Sequence, residues 1–311
     1  MYPIRFENLY YDKVWGGRDF ELFRDNMPEG MIGETWDVAC HKNGMSIVEN
    51  GEYKGLRFDE LIDKLGSDLV GTEISKEKFP LLIKLINAKD KLSVQVHPTE
   101  IWYVVEAFEG ANLIVGTKEC TKEQFVKAIE TGEFDQYLNR VEVKKGDTFF
   151  VRSGLVHAIC EGVIIAEIQQ NSDTTYRVYD YNRGREIHVE KALDCIDFSL
   201  KGEKAKGLKV SYDQYDKTYL SLCEYFSLEK YDIHGVCEEE SDKERFFIFT
   251  CVEGEGIITS EEGELAIKKG DSIFIPASLG KYSLKGNMTL LKSYVPKEGA
   301  VEEEILSVVK A

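Results

Sequence analysis

Residues 92–102, LSVQVHPTEIW, decide the fold of this chain. Apolar and polar residues alternate along the first half, and this period of two predicts a strand with one buried and one polar face. Gln95 and His97 lie two positions apart and therefore project from the same face. Pro98 ends the strand because it has no N–H to donate, and Glu100 follows closely. An amide oxygen, an imidazole and a carboxylate are ligands that divalent metals accept, so the pattern predicts part of a metal site.

Residues 141–159, VEVKKGDTFFVRSGLVHAI, form a strand-rich stretch with His157 near its end. His157 is the candidate for a further metal ligand. A double-stranded β-helix presents metal ligands from two separate strands in this way. The pattern alone leaves a second interpretation open, in which His97 and His157 are two unrelated histidines, each hydrogen-bonded in or near a core.

The composition describes a globular protein of one large or two smaller domains, with 311 residues, 43% apolar and 31% charged. No run of about 18 apolar residues occurs, so no membrane-spanning helix is expected. The start of the chain, MYPIRFENLYYDKVWGG, lacks the basic and apolar regions of a signal peptide. The seven cysteines are scattered without a C-x-x-C pair, which favours a reducing cytoplasm and argues against a cysteine zinc site.

The net charge of −17 disfavours nucleic acids and anionic membranes as partners. An anionic substrate would therefore need a local basic cluster. Lys84 interrupts an apolar strand, and Glu167 is embedded in another, where a carboxylate is costly unless it is paired. Arg177, Arg183 and Arg185 follow in a polar stretch. Guanidinium groups beside such a strand suit anion recognition, although a snorkelling lysine and a solvated loop are the simpler interpretations.

An internal repeat is visible, because Lys-Lys-Gly-Asp occurs at 144–147 and again at 268–271, each time before an apolar strand. Two β-barrels are the economical interpretation. The second copy has Lys281 in place of His157 and no Q-x-H pattern before it, so only the first barrel is expected to bind metal. We place the first domain at 1–205, with a helical insert around 121–139, and the second at 206–311. Residues 201–218 look like a linker.

Four stretches together resemble the type I mannose-6-phosphate isomerases of the short bacterial, two-domain form, which belong to the cupin superfamily. They are FPLLIKLINAKDKLSVQVHP (79–98), TEIWYV (99–104), GDTFFVRSGLVHAI (146–159) and IAEIQQNSDTTYRVYDYNR (165–183), with W-G-G and G-E-T-W nearer the start. The resemblance implies a mainly β protein made of two cupin barrels (double-stranded β-helix or jelly-roll), with a small helical segment inserted in the first half.

The resemblance also implies a set of functional residues and one Zn²⁺ per chain. The implied zinc ligands are Gln95, His97, Glu100 and His157. The implied catalytic residues are Arg177, Glu167 and Lys84, and the implied substrate-binding residues are Ser93, Arg183 and Trp15, with Ser93 and Arg183 at the phosphate end.

The implied reaction interconverts mannose 6-phosphate and fructose 6-phosphate by proton transfer between C1 and C2 through an enediol or enediolate. Glu167, Lys84 and a metal-bound water all stay open as the base. The alternatives are another metal-dependent cupin enzyme, such as an iron oxygenase, and a non-catalytic sugar-phosphate-binding cupin module. A small sugar phosphate is the expected partner of a monomer or weak homo-oligomer.

Two departures from the family are visible. Arg152 stands where relatives usually have proline, a minor change at a turn. Relatives also carry a longer connection between the His-Pro and Glu-x-Trp-Tyr elements, with a pocket lysine beside the glutamate, whereas here Pro98 runs directly into Thr99 and Glu100. Either the protein has lost this loop, or the protein has the loop and the printed sequence lacks it. We expect the second, because losing the loop would remove a lid and a pocket lysine together. Glu100 remains the expected ligand in either case.

Overall fold

The computed structural model describes residues 1–172, 174–297 and 299–309, and within these the chain is mainly β. The strands are β1 (Ile4–Arg5), β2 (Leu9–Gly17), β3 (Ile32–Val38), β4 (Cys40–His41), β5 (Gly44–Met45), β6 (Leu81–Ala88), β7 (Val94–Val96), β8 (Glu100–Ala107), β9 (Asn112–Thr117), β10 (Leu138–Glu142), β11 (Thr148–Val151), β12 (His157–Ile159), β13 (Val163–Gln170), β14 (Tyr176–Tyr179), β15 (Leu208–Ser211), β16 (Tyr215–Leu222), β17 (Ser227–Ile233), β18 (Val236–Glu240), β19 (Phe247–Ser260), β20 (Gly263–Lys268), β21 (Ser272–Ile275) and β22 (Lys281–Tyr294). The helices are α1 (Phe58–Leu65), α2 (Ser67–Val70), α3 (Lys122–Thr131), α4 (Val189–Cys195) and α5 (Ala300–Val309), with short 3-10 helices at Asp19–Leu22 and Phe134–Tyr137.

The first barrel is built from two antiparallel sheets. One has six strands in the order β11-β8-β13-β6-β3-β2, and the other has five in the order β10-β9-β12-β7-β14. Large side chains such as Trp102 and Phe149 fill the space between them. Because strands from distant parts of the chain alternate in each sheet, residues far apart in sequence meet on the same inner face.

The second barrel is a single nine-stranded sheet. Its main order is β1-β21-β19-β22-β17-β16-β15, with β18 added to β22 and β20 to β19. Strands β19 and β22 are 14 residues long, and their two ends pair with different neighbours. This exchange of partners lets one sheet fold over a core of its own. The predicted fold class, two cupin barrels with a small helical segment, is confirmed.

The two barrels are joined by a strand and by a common group of core residues. The first strand of the chain joins the sheet of the second barrel, where Ile4 lies opposite Phe274. A cluster of phenylalanines, including Phe79 and Phe246, is common to both halves. The division at residue 205 stays a prediction, and the chain on its N-terminal side contributes to both sheets.

The repeated Lys-Lys-Gly-Asp segment forms the same turn twice. In the first copy the Lys144 N–H donates to Asp147 Oδ2 at 2.9 Å, and in the second the Lys268 N–H donates to Asp271 Oδ2 at 3.0 Å. The glycine at the third position has a φ of 89° in one copy and 90° in the other, a region that favours glycine. The repeat seen in the sequence is therefore a repeat of structure.

The local helix prediction is accurate. The helical insert predicted around 121–139 is α3 followed by a 3-10 turn. Thr121 and Gln124 form a reciprocal capping box at the start of α3, and Gly132 ends it in the left-handed conformation. The linker interpretation of residues 201–218 is wrong, because β15 and the start of β16 lie there. In the described part of the chain, no helix is long and apolar enough to cross a membrane.

Candidate active site

Three strands of the first barrel bring a histidine-rich metal site together. His97 follows β7, His157 begins β12, and Glu100 begins β8. His97 Nε2 lies 3.2 Å from Glu100 Oε2, and His157 Nε2 lies 3.6 Å from Glu100 Oε1. Among the described residues, these three form the one group of His, Cys, Asp or Glu side chains close enough to hold a metal ion. Only Pro98 and Thr99 separate His97 from Glu100, and this short connection still brings the two side chains together.

Hydrogen bonds on the far side of each ring fix the two imidazoles. Nδ1 of His157 donates to the Leu155 carbonyl oxygen at 2.8 Å, and Nδ1 of His97 donates to that of Pro98 at 3.0 Å. Since carbonyl oxygens only accept, Nε2 of each imidazole, in its neutral form, keeps its lone pair and directs it toward the carboxylate of Glu100. Burial opposes a charge on His97, but Glu100 outweighs it and raises the His97 pKa, so in the absence of a metal a proton would be shared at this point. Backbone support of this kind is common behind metal-binding histidines.

Buried polar atoms of His157 and Glu100 are not satisfied by hydrogen bonds within the described part of the chain. Both Glu100 oxygens and His157 Nε2 are fully buried and make no hydrogen bond with other described groups. Burial raises the pKa of Glu100 to about 7, with a contribution from Glu167. Burial also holds the pKa of His157 well below its usual value, and His97 adds to this effect. Facing lone pairs and a desolvated carboxylate need a cation between them, so these residues fit a divalent metal.

Gln95 and Ser93 lie beside the histidines on β7 and the segment before it. Gln95 is opposite His157 in one ladder and opposite Arg177 in the next. The Ser93 hydroxyl donates to Gln95 Oε1 at 3.0 Å. Gln95 and His97 both line the same cavity, as their spacing of two predicts.

A buried ion pair forms the floor of this cavity. Lys84 Nζ lies 3.1 Å from Glu167 Oε1 and donates to Gln169 Oε1 at 2.6 Å. The second oxygen of Glu167 accepts a bond from Trp102 Nε1 at 3.2 Å. Burial opposes the charge on Lys84, but nearby carboxylates, first among them Glu167, outweigh it and raise the lysine pKa. Glu167 and Lys84 are therefore a fixed, charged pair at the base of the site.

Arg177 projects from β14 on the opposite side of the cavity. Its backbone N–H donates to His188 Nδ1 at 3.3 Å, and its carbonyl accepts from the His188 N–H at 2.7 Å. Its side-chain Nε is buried without a hydrogen-bond partner among the described residues. Burial and the neighbouring Arg185 lower the Arg177 pKa. An under-satisfied guanidinium that lines a cavity is ready to donate to a ligand oxygen.

The structure separates the two arginines at the end of this polar stretch. Arg183 is absent from the cavity lining; it pairs with Asp90 and donates from Nη1 to the Lys91 carbonyl at 2.6 Å. Arg185 lines the cavity, and its Nε donates to Asp180 Oδ2 at 2.9 Å. The role of Arg183 at a phosphate end stays a prediction. Arg185 is better placed to contact a ligand in the cavity.

The sequence interpretation missed Glu34, a cavity residue on β3. Its Oε2 accepts from Trp36 Nε1 at 2.9 Å, and its Oε1 lies 3.1 Å from Lys13 Nζ. Burial would raise the Glu34 pKa, but Lys84 and Lys13 lower it overall. The G-E-T-W motif drew attention only through its turn and aromatic residues. A charged residue that alternates with apolar ones on a strand is the signal that could have identified it.

These groups line one cavity of about 380 Å³. Lys13, Lys84, Arg177 and Arg185 supply positive charge, while Glu34 and Glu167 supply negative charge. Trp15, Ser93, Gln95 and His97 complete the wall that adjoins the metal ligands. The acidic protein thus has the local basic cluster that an anionic substrate requires, beside a metal site and several hydrogen-bonding groups suited to hydroxyls.

Comparisons with known proteins agree with this geometry. Residues 4–107 match the family model of the phosphomannose isomerase type I catalytic domain, and residues 215–295 match that of the mannose-6-phosphate isomerase cupin domain. The chain is 37% identical to mannose-6-phosphate isomerase ManA of Bacillus subtilis (strain 168), over 94% of this chain and 99% of the relative. It is 34% identical to a mannose-6-phosphate isomerase of Streptococcus mutans, over 94% and 98%.

A solved structure shows the same overall fold. The crystal structure of the mannose 6-phosphate isomerase from Bacillus subtilis superposes with a TM-score of 0.88 at 33% identity and covers 94% of this chain and 99% of that one. The match therefore extends through both barrels and the metal-site strands. Sequence, fold and family models agree, and the chain belongs to the type I phosphomannose isomerase family.

Proposed function

We propose that this chain is a zinc-dependent isomerase that interconverts mannose 6-phosphate and fructose 6-phosphate. Family membership supports the reaction class. The observation that carries the proposal is the pair of imidazole Nε2 atoms at 3.2 and 3.6 Å from one buried carboxylate, in the wall of a cationic cavity. Such a site provides both a metal and an anion-binding surface to one small molecule.

One zinc ion per chain would be held by Gln95, His97, Glu100 and His157. Nitrogen and carboxylate donors suit zinc, and the amide oxygen of Gln95 lies on the same strand face as His97. The Ser93 hydroxyl orients that amide from behind. When bound, the metal would supply a Lewis acid that stabilises negative charge on the sugar oxygens.

The protein's own groups would handle the proton and the developing charge. Moving the carbonyl between C1 and C2 requires a base within hydrogen-bond reach of the transferred proton. Glu167 is the candidate side-chain base, because it lies at the floor of the cavity and Trp102 holds the carboxylate in place, and a metal-bound water is the other candidate. Lys84, whose pKa the nearby carboxylates raise, would instead stabilise negative charge beside it. Arg177, across the cavity, would donate to the oxygen that becomes negative in the enediolate.

The phosphate would bind where the basic and hydroxyl groups converge. Ser93 and Arg185 line the cavity, and the Trp15 side chain packs in the same wall. Arg183 would act on this end indirectly, through its contacts with Asp90 and Lys91. A guanidinium is the preferred partner of a phosphate because its N–H groups match two oxygens at once.

A coupled isomerase assay tests the proposal on the purified protein, after chelation and after adding back zinc. We expect turnover of mannose 6-phosphate to disappear with the chelator and to return with zinc. Recovery with ferrous iron alone, together with oxygen consumption, would instead favour another class of metal-dependent cupin enzyme. Saturable binding of the sugar phosphate by zinc-loaded protein without turnover would favour a binding module.

A further inference from the structure

Strand register defines a row of charged residues in the first barrel. Glu167 at the centre of β13 lies opposite Lys84 on β6 and opposite Trp102 on β8. Glu34 on β3 lies opposite Ile86, two residues further along β6 from Lys84. From β13 through β6 to β3, the charges therefore alternate: Glu167 is negative, Lys84 is positive and Glu34 is negative. This row forms the floor of the candidate active site.

The same register in the second barrel selects a row of opposite charge. Lys292, near the end of β22, lies opposite Glu229 on β17 and Phe249 on β19. Lys217 on β16 lies opposite Tyr231, two residues further along β17 from Glu229. This row is positive, negative, positive. The equivalence is anchored by the repeated turns, since β11 and β21 follow them and pair with β8 and β19 in the same register.

The inverted row is buried and extensively bonded. Lys217 is 7% exposed and its Nζ lies 3.0 Å from Glu229 Oε2. The Tyr294 hydroxyl donates to the other Glu229 oxygen at 2.6 Å. Lys292 is 6% exposed, donates to Glu239 at 2.7 Å and lies 4.0 Å from the ring centre of Phe247. Burying two ammonium groups is costly, and a hydrophobic row would give a barrel core without that cost.

A cavity of about 480 Å³ opens over this row and includes residues of the terminal helix α5. Glu304 on α5 inserts a carboxylate there. Its Oε1 accepts from Lys217 Nζ at 2.7 Å and from the Tyr219 hydroxyl at 2.7 Å. Burial would raise the Glu304 pKa, but Lys217 and Tyr219 lower it overall. The side chain is 45% exposed, so it lies at the mouth of the cavity and can be replaced from solvent.

The cavity has no counterpart of the metal site in the first barrel. Phe247 at the start of β19 pairs with Ile275, as Glu100 at the start of β8 pairs with Val151. An aromatic ring thus stands where the first barrel has a metal-ligand carboxylate. Any ligand of this cavity would be held by ammonium and hydroxyl donors against aromatic walls.

Charge balance defines the ligand class. Excluding Glu304, the charged lining residues are Lys217, Arg245, Lys292 and Lys297 against Glu229, Glu239, Asp242 and Glu244. The lining is therefore neutral before α5 contributes, and Glu304 adds a single negative charge. A dianionic phosphate would leave a second negative charge in a partly desolvated space, whereas a monocarboxylate adds the same charge as Glu304.

We propose that the second barrel is a ligand-binding site for a small organic monocarboxylate, whose carboxylate takes the position of Glu304 between Lys217 and Tyr219. Glu304 is the intramolecular competitor for that position. The proposal is independent of the reaction in the first barrel, because it uses none of the same residues.

Ligand-observed NMR on the full-length, zinc-loaded protein tests this with acetate and gluconate as probes and with acetamide and glucose as their neutral counterparts. Glu304→Gln removes the competing charge and keeps the side-chain length, and Glu303→Gln, on the exposed face of the same helix, is the matched control. We expect Glu304→Gln to bind both carboxylates about tenfold more tightly than the wild type and the control, because the internal carboxylate no longer competes. The neutral probes should not distinguish the variants.

A second variant identifies the site of binding. Tyr219→Phe in the Glu304→Gln background removes one hydroxyl donor and keeps the ring, and we expect the gain in carboxylate affinity to fall about tenfold, as for loss of a charge-assisted hydrogen bond. Thermal unfolding of each variant checks that it is folded. Equal carboxylate affinity in Glu304→Gln and Glu303→Gln would overturn the proposal, and so would a gain that Tyr219→Phe leaves unchanged. Binding common to all variants would belong to the first barrel.

Discussion

The charge of Lys84 should be essential to the stability of the first barrel as well as to its activity. Its side chain is 13% exposed and that of Glu167 is 5% exposed, so the pair is almost fully removed from water. Lys84→Met keeps the length of the side chain and leaves Glu167 with Trp102 as its hydrogen-bond donor. Removing one partner of a buried pair costs about 3–5 kcal/mol, and the remaining bond favours the lower end, about 3 kcal/mol.

The matched variants separate charge burial from loss of catalysis. In the double variant Lys84→Met/Glu167→Gln no unpaired charge is left, so we expect an unfolding free energy within about 1 kcal/mol of the wild type. Lys89→Met is the control, because Lys89 is 60% exposed and 3.5 Å from Asp19. An exposed pair of this kind contributes about 0–1 kcal/mol. Turnover should be lost in both Lys84 variants and retained in the control.

Urea unfolding of the metal-free proteins measures these differences, with activity assayed separately on the zinc-loaded proteins. The double variant should be more stable than Lys84→Met and equally inactive. If Lys84→Met unfolds at the same urea concentration as Lys89→Met, or if the double variant is less stable than the single one, the pair is not the buried charge pair described here.

Other variants test the remaining parts of the site. Arg177→Lys should lower kcat about 10²–10³-fold with little change in unfolding temperature, because a guanidinium donor to the developing charge is lost; a normal kcat would contradict that role. Arg185→Gln should raise KM for mannose 6-phosphate more than Arg183→Gln does, and the reverse order would place Arg183 at the phosphate after all. His157→Ala should abolish the rise in unfolding temperature on adding zinc, whereas His234→Ala, at an exposed turn, should keep it; loss of the zinc effect in both would point to metal binding elsewhere.

The sequence predicted those features that depend on local periodicity. The alternation around Gln95 and His97 indicated a strand with two ligands on one face, and the structure places both in the cavity wall. The two Lys-Lys-Gly-Asp turns were recognisable because a turn's hydrogen bonds involve neighbouring residues. The capping box at Thr121 is local for the same reason.

Features that depend on strand register could not be predicted in this way. Glu34 and Lys84 come close only because β3 pairs with β6, and no local pattern encodes that pairing. The opposite charge of the Lys217 row likewise becomes visible only when both barrels are aligned through their ladders. The stretch at 201–218 was taken for a linker because few of its residues are apolar, and the alternation in β15, Leu-Lys-Val-Ser at the sheet edge, is only four residues long.

The arginine-rich stretch illustrates a third limit of sequence patterns. Arg183 and Arg185 are two residues apart in an irregular segment, where neither period of a helix or strand determines direction. Each is fixed by a contact with a distant or nearby aspartate, Asp90 for one and Asp180 for the other. Their different positions therefore follow from tertiary contacts.

Proton NMR of mannose 6-phosphate in deuterated water, with the zinc-loaded full-length protein, tests the central claim most directly. The substrate, the product and the transferred hydrogen are all observed in one sample. We expect fructose 6-phosphate to form in equilibrium with mannose 6-phosphate, and deuterium to enter the sugar at the exchanging carbon, because the proton passes through a group on the protein. A folded, zinc-loaded protein that leaves mannose 6-phosphate unchanged would contradict this claim.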